Sequence, residues 1–111
     1  MGTFHWNLVS KSIIWSDQAK ALFGLTPETE MTQERLYGCL HPDDRARTHD
    51  AIEQALAKQE IYDTEYRALW PDGSEHWIWA RGRGYYDSGQ PVRFEGTVQD
   101  ITARKSVADQ Q

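Results

Sequence analysis

The stretch from Tyr62 to Tyr85 constrains the fold more than any other part of the chain. At its centre, Pro71, Asp72 and Gly73 are the residue types of a tight turn. Proline presets φ, aspartate bonds nearby backbone, and glycine accepts a positive φ. Aromatic and β-branched residues alternate with polar ones on both sides of this turn. The pattern predicts a β-hairpin with a three-residue loop.

The loop length fixes the register of this hairpin. If Trp70 faces Ser74, one face is charged and aromatic while the other is apolar and small, because side chains alternate along a strand. The first face then has the pairs Arg67–Trp77, Glu65–Trp79 and Asp63–Arg81. The second face has the pairs Tyr66–Ile78, Thr64–Ala80 and Tyr62–Gly82. A slip of one residue would mix the faces, so we expect the second face to lie against the core.

Length, charge and cysteine content limit the class of protein. A chain of 111 residues is long enough for one core and too short for two. Its formal charge of −5 argues against nucleic-acid binding, which calls for a basic surface. One cysteine excludes an internal disulfide framework and suits the reducing cytoplasm, where we expect the protein. We expect no membrane contact, because no apolar run approaches the ~20 residues that cross a bilayer and no signal segment is evident.

Hydrophobic periodicity and capping residues predict the remaining elements. Ser16 can cap a short helix that ends at Gly24, and Pro42 suits the first position of a longer one. The predicted elements are strands at 3–9 and 13–15, helices at 16–23, 32–37 and 41–58, the hairpin, and a strand at 92–101. This order predicts an α+β fold, with the helices over one face of a five-stranded sheet.

A second turn is predicted at residues 86–91, which include glycine and proline. Placing Tyr86 opposite Val92 keeps the apolar positions of both strands on one face. The same register sets Arg83 against Glu95 and Tyr85 against Arg93.

Several motifs occur along the chain in a characteristic order. They are Trp15-Ser16, His-Pro-Asp-Asp-Arg at 41–45, Glu-Tyr-Arg at 65–67, Pro-Asp-Gly-Ser at 71–74 with Trp77, Gly96, and Asp100-Ile101-Thr102 before Arg104-Lys105. Together they resemble the PAS family, in the branch found in bacterial sensor histidine kinases and cyclic-di-nucleotide signalling proteins. The resemblance implies a PAS fold: a five-stranded antiparallel sheet of order 2-1-5-4-3, with short helices and one longer helix over one face. It also implies a sensory domain at residues 1–105 and the start of a C-terminal signalling linker at 106–111.

The resemblance further implies a role in signal transduction. The domain is expected to be a non-catalytic sensory or dimerising module of a larger bacterial protein, whose output domain is a histidine kinase or a diguanylate cyclase. Asp100, Ile101 and Thr102 would relay the signal, because this motif ties the last strand to the outgoing linker in the family.

The inner face of the sheet carries small residues, Ala80, Gly82 and Gly96, between larger apolar ones. Such residues either let another element pack closely or leave a hollow, and both alternatives remain open at this point. If there is a pocket, its predicted lining residues are Trp6, Leu36, Ile52, Tyr66, Ile78, Phe94 and Val98. These generic apolar and aromatic types identify no cofactor.

The outer face presents Arg67, Trp77, Trp79 and Arg81. Aromatic and arginine side chains together are typical of interfaces, which favours homodimerisation or the docking of a flanking helix on this face. The alternative is that the arginines shield the rings within the same chain through cation–π contacts. A purely structural dimerisation domain without a ligand is the second functional hypothesis.

Cofactor and enzyme alternatives are weaker. Cys39 lacks the flanking asparagine and arginine of the family's flavin-adduct motif, so flavin photochemistry is not implied. His49 lies on the long predicted helix, from which haem-binding members take a ligand, but a surface histidine is the simpler interpretation. An enzyme could use the cluster at 41–44 with His76, yet helix capping explains that cluster, and no nucleophile–base pair is suggested by the spacing.

Overall fold

The computed structural model describes residues 1–109, and this part of the chain contains five strands and four helices. The strands are β1 (Gly2–Asn7), β2 (Ser12–Trp15), β3 (Tyr62–Leu69), β4 (Glu75–Asp87) and β5 (Gln90–Asp100). The helices are α1 (Asp17–Leu22), α2 (Gln33–Gly38), α3 (Pro42–Lys58) and α4 (Thr102–Asp109). The strands form one antiparallel sheet of order β2-β1-β5-β4-β3, which confirms the predicted α+β fold class and strand order.

The predicted register of the β3–β4 hairpin is confirmed at every pair. Arg67 lies opposite Trp77 and Tyr66 lies opposite Ile78, and the pairing continues outward unshifted. The turn closes through a hydrogen bond of 2.9 Å from the Trp70 amide to the Ser74 carbonyl, with Gly73 at φ 88°. Turn chemistry and alternation agree here, and the two faces separate as expected.

The second turn is tighter than predicted. Arg83 does lie opposite Glu95 and Tyr85 opposite Arg93, but the register shifts at Tyr86, which faces Pro91 instead of Val92. Ser88 and Gly89 form the whole turn at φ 52° and 81°, so most of residues 86–91 belongs to the strands. Two consecutive residues with positive φ are typical of a two-residue turn. Pro91 has no amide proton to donate, so the regular pairing is interrupted beside this turn.

Local hydrogen bonds set several element boundaries. The Ser16 hydroxyl accepts from an amide of the first turn of α1 at 3.2 Å, and Gly24 follows the helix at φ 72°. His41 caps α3, its Nδ1 accepting from the Asp43 amide at 3.1 Å. β1 stops at Asn7, short of the predicted residue 9, because the Asn7 side chain accepts from the amides of Val9 and Ser10 at 3.0 Å.

The small residues of the inner sheet face serve close packing. A Cβ on Gly82 or Gly96 would lie 3.0 Å or 2.6 Å from Cζ of Phe4, whose ring rests over this glycine pair. Phe4 also contacts Phe94, with ring centroids 5.2 Å apart. The two glycines therefore admit an aromatic ring from β1 and leave no hollow at this point.

The last described element is α4, which begins at Thr102, directly after β5. The predicted domain boundary at residue 105 thus falls inside a helix, and the last two residues of the predicted linker, 110 and 111, lie outside the described part of the chain. Within residues 1–109, no helix is both long and apolar enough to cross a membrane.

Candidate functional site

A cavity of about 20 Å³ lies in the core between the sheet and helices α2 and α3. Its lining includes five of the seven residues predicted for a pocket: Trp6, Leu36, Ile52, Tyr66 and Phe94. It also includes Ala80, one of the small residues expected on the inner face, and four residues that were not predicted: Phe4, Trp15, Thr48 and Tyr62. The other two predicted residues, Ile78 and Val98, are buried in the same core without lining the cavity.

Thr48 and Trp15 are two residues with polar atoms that line the cavity but were not predicted for the pocket. Thr48 precedes Ile52 by four residues, so both lie on the buried face of α3. This spacing was the sequence signal that could have assigned Thr48 to the pocket. Trp15 is the last residue of the short strand β2, in tilted contact with Phe23 at 4.7 Å between centroids. A single residue at the end of a four-residue strand carries no periodicity that would assign its face.

Burial keeps the two tyrosines of the cavity protonated. Desolvation raises the pKa of Tyr62 well above its usual range, and the fully buried Tyr66 is raised in the same way, with a further contribution from Tyr62. Both side chains therefore remain neutral phenols at physiological pH. Burial also raises the pKa of the Cys39 thiol, which lies outside the cavity lining.

The end of β5 is tied to β4 at Trp77. The Trp77 amide donates to the Thr102 hydroxyl at 2.9 Å, and the Ile101 amide donates to the Trp77 carbonyl at 2.9 Å. Asp100 caps the first turn of α4, its Oδ1 accepting from the Thr102 amide at 2.8 Å. Ile101 itself is buried. The helix α4 therefore starts from a position that β4 determines.

The helix α4 lies along the outer face of the sheet. Lys105 Nζ is 2.6 Å from a Glu65 carboxylate oxygen and 4.7 Å from the centre of the Trp77 ring. The guanidinium of Arg104 lies 5.5 Å from the centre of the Trp79 ring. Two cations of the outgoing helix thus cover the two tryptophans that were predicted to lie on the outer face.

The two arginines of the predicted interface have partners within the chain. Arg81 Nε lies 3.2 Å from Asp63, and its guanidinium is 6.0 Å from the Trp79 ring. Arg67 reaches around the edge of β3 and donates to Asp44 at 2.8 Å and 3.0 Å, with its guanidinium 5.7 Å from the Trp77 ring. The cation–π shielding considered from the sequence therefore exists, although both rings stay partly exposed.

Asp44 does more than complement the helix dipole, which was the role expected from sequence. It is buried, and it accepts three hydrogen bonds from Arg67, including one from the backbone amide at 2.8 Å. These hydrogen bonds hold the pKa of Asp44 far below its usual range, against the opposing effect of desolvation. The segment before α3 runs along the edge of β3, where the His41 amide donates to the Arg67 carbonyl at 2.9 Å, and this brings the two side chains together.

The remaining histidines lie away from the cavity. His49, the haem alternative, is exposed on α3, with Nδ1 3.3 Å from the Tyr37 hydroxyl, and it does not line the cavity. Among the described residues, no group of three or more histidine, cysteine or acidic side chains could hold a metal ion.

The hairpin end brings together a serine, a histidine and an aspartate that sequence spacing did not suggest. His76 Nε2 is 2.9 Å from Ser74 Oγ, and His76 Nδ1 is 3.6 Å from Asp100. However, Ser74 Oγ donates its proton to Asp72 at 2.6 Å, so His76 must itself donate to the serine oxygen. In this arrangement the imidazole donates to the hydroxyl, so it does not act as a base toward Ser74.

A sheet of this order, with helices over one face and a helix leaving its last strand, defines a small domain of the α+β class. The chain belongs to the PAS family, because the family model described as the PAS fold matches residues 12–98. A domain of this family is a sensory module and does not itself carry the catalytic function of the proteins that contain it.

The relatives of the chain are signalling proteins. It is 28% identical over 108 residues to sensor protein FixL of Bradyrhizobium diazoefficiens, covering 96% of this chain and 21% of that protein. The chain thus spans about one fifth of the length of the curated relative it matches. A sensory box histidine kinase/response regulator from Burkholderia thailandensis is 32% identical, with a TM-score of 0.84 over 97% of this chain and 82% of that one.

A further structure supports the fold alone. The N-terminal domain of a diguanylate cyclase with PAS/PAC sensor from Marinobacter aquaeolei is 21% identical, with a TM-score of 0.84 over 94% of this chain and 97% of that one. The chain is therefore a PAS domain, as the sequence resemblance predicted, and its relatives include a PAS-containing histidine kinase/response regulator.

Proposed function

We propose that this PAS domain senses a small ligand in its inner cavity and relays binding to α4 through Asp100, Ile101 and Thr102. The domain would belong to a longer bacterial protein with a kinase or cyclase output, which the limited coverage of the curated relative supports. The single cysteine supports a cytoplasmic location. The observation that carries the proposal is the pair of hydrogen bonds joining Trp77 to the start of α4.

The path from cavity to helix is short. Ala80 lines the cavity, and Trp77 lies three residues earlier on the same strand. Between them Ile78 is completely buried, so β4 can move at this point only together with the core. A ligand that shifts β4 would therefore shift the anchor of α4, by at most the difference in its affinity for the two arrangements.

The contacts of α4 with the outer face hold this helix in a docked arrangement, and their loss would give a second, released arrangement. Lys105 and Arg104 hold α4 against Glu65, Trp77 and Trp79 through exposed ion pairs and cation–π contacts. Contacts of this kind contribute on the order of 0.5 kcal/mol each, so they can break and re-form with a small change in free energy. We infer an equilibrium between a docked and a released α4, which the ligand biases.

Removing the Thr102 hydroxyl is expected to loosen the junction. In Thr102→Val the Trp77 amide loses its acceptor, which weakens the anchoring of α4 by about 1 kcal/mol. Amide exchange measured by NMR should then be about fivefold faster in the first turn of α4, while protection at the centre of the β3–β4 hairpin is unchanged. Thr102→Ser keeps the acceptor and should behave like the wild type. Equal α4 exchange in both variants would contradict the relay.

Native mass spectrometry of the purified domain tests sensing itself. A small molecule that is retained under mild conditions and lost on denaturation would support a ligand-binding domain. Absence of any retained molecule, together with a stable dimer mass, would favour the purely structural dimerisation domain instead.

We also propose that the outer sheet face, when α4 is released from it, forms a homodimer interface. Trp77 and Trp79 remain half-buried beside the charged pairs, while Ile14 and Ile61 are 68% and 56% exposed. Ile14 pairs with His5, and Ile61 and His5 both line a shallow groove on this face. Exposed apolar and aromatic residues around a groove are typical of a surface that another chain covers.

The double variant Trp77→Ala, Trp79→Ala tests this interface. Loss of two aromatic anchors should weaken dimerisation at least about a hundredfold, since such residues contribute about 2 kcal/mol each at interface centres. Sedimentation velocity should then show a monomer at concentrations where the wild type is dimeric. Val9→Ala, an exposed turn residue, is the matched control. A wild-type domain that is monomeric, or a variant that dimerises unchanged, would refute the proposal.

A further inference from the structure

Two residues that line the inner cavity carry buried polar atoms without partners. Trp15 Nε1 and Thr48 Oγ1 are both buried and make no hydrogen bond within the described part of the chain. Their residues are only 6% and 2% exposed, so bulk water does not reach them. Both residues line the same cavity. Buried polar groups in folded proteins are almost always hydrogen-bonded, so two such atoms around one space indicate that it receives a polar molecule.

Thr48 has an ordinary local alternative that it does not use. A threonine inside a helix commonly donates to the carbonyl one turn earlier, here that of Asp44. No such bond is present, and the hydroxyl remains unpaired. Its position on the buried face of α3, beside Ile52, therefore leaves its hydrogen-bonding capacity for the cavity.

The lining determines the charge and polarity of the occupant. No residue that lines the cavity is charged at neutral pH, since its tyrosines remain protonated. A carboxylate or an ammonium group would lose its hydration there without a counter-charge. The indole of Trp15 can only donate, so the occupant must present an acceptor to it, whereas the Thr48 hydroxyl can donate or accept.

The volume of the cavity limits the size of the molecule that it can hold. The cavity measures about 20 Å³. One water molecule needs roughly 10–15 Å³, so the cavity holds about one or two non-hydrogen atoms as it stands. Rotation of Leu36 or Ile52, the flexible aliphatic residues of the lining, would admit one or two more.

We infer that the cavity is a site for a small uncharged oxygen compound, of the size of a short-chain alcohol, held between the Trp15 indole and the Thr48 hydroxyl. This inference rests on the proposed sensory function and specifies its ligand class. A molecule of two to four non-hydrogen atoms makes few contacts, so the expected Kd is on the order of 1 mM.

The indole N–H resonance of Trp15 provides a direct test. It is assigned by its disappearance in Trp15→Phe, and the domain is then titrated with ethanol. We expect a saturable shift of this resonance that the indoles of Trp70 and Trp79 do not share, because these donate to Leu22 and Asp63. In the nearly isosteric variant Thr48→Val, the Kd should rise about fivefold. The thermal stability of that variant should not fall, since an unpaired hydroxyl is removed.

Three results would overturn the inference. The first is saturable binding of xenon without any binding of ethanol, which would identify an apolar void. A water-to-indole nuclear Overhauser effect at Trp15, with no response to ethanol, would identify a single structural water. A charged or larger molecule found by native mass spectrometry would overturn the ligand class while leaving the sensory function intact. Failure of the Thr102→Val test would instead affect the relay and leave this ligand class standing.

Discussion

Replacing Gly96 with alanine is expected to destabilise the domain by about 3 kcal/mol and to lower its Tm by on the order of 10 °C. A Cβ at this position would overlap the Arg81 carbonyl oxygen and lie 2.6 Å from both the Gly82 Cα and the Phe4 ring. Two of these neighbours are backbone atoms at the centre of the sheet, which cannot move without breaking the β4–β5 pairing. Urea unfolding followed by tryptophan fluorescence measures the change.

Gly38→Ala is the matched control for that substitution. Gly38 ends α2, and a Cβ there would meet nothing within 4 Å. Alanine also has the higher helix propensity, so this variant should be as stable as the wild type or more stable by up to about 1 kcal/mol. If Gly96→Ala and Gly38→Ala gave the same unfolding free energy, the proposed close approach of β1, β4 and β5 would be wrong.

Substituting Asp44 by asparagine should remove about 2 kcal/mol of stability, because a buried carboxylate that accepts charge-assisted hydrogen bonds loses its charge. Asp44 accepts three hydrogen bonds from Arg67, and this contact attaches the start of α3 to the edge of β3. Asp43→Asn changes the neighbouring carboxylate, which is 79% exposed at its side chain, and should alter stability by less than about 0.5 kcal/mol.

The same pair predicts a pH dependence. The folded-state pKa of Asp44 is lowered, so the stabilisation is complete above the unfolded-state pKa of about 4 and is lost as the pH falls below it. The difference in unfolding free energy between the wild type and Asp44→Asn should therefore shrink between about pH 6 and pH 2.5. A difference that stays constant over this range would exclude a charged Asp44 as the cause.

The β3–β4 hairpin could be predicted in full because two independent local signals coincide. Turn residues fix the loop length at Pro71–Gly73, and the alternation on both sides then permits only one register. At the second turn the signals conflict, since Gly89 favours a two-residue turn while Pro91 disrupts the ladder beside it. The prediction followed the apolar pattern there and was wrong by one residue at Tyr86.

The cavity and the ion pair depend on distant parts of the chain. Asp44 and Arg67 are 23 residues apart, and helix capping already accounted for an acidic residue at that position. Most apolar lining residues followed from periodicity, and the four-residue spacing of Thr48 and Ile52 also indicates a shared buried face. No periodicity assigned Trp15, and the cavity could not be predicted, because about 20 Å³ is a small difference between large packed volumes. The unpaired atoms of Thr48 and Trp15 are recognised only when every neighbouring donor and acceptor has been placed.

The fixed start of α4 has a consequence for protein engineering. Because Thr102 and Ile101 are hydrogen-bonded to Trp77, both the starting position of this helix and its rotation about its own axis are defined. Each residue inserted into a continuous helix rotates whatever follows by about 100° and advances it by about 1.5 Å. Fusions joined to α4 with seven-residue increments would keep nearly the same angular phase, whereas increments of two would turn the attached domain to the opposite side. The junction thus acts as an angular reference for chimeric sensors.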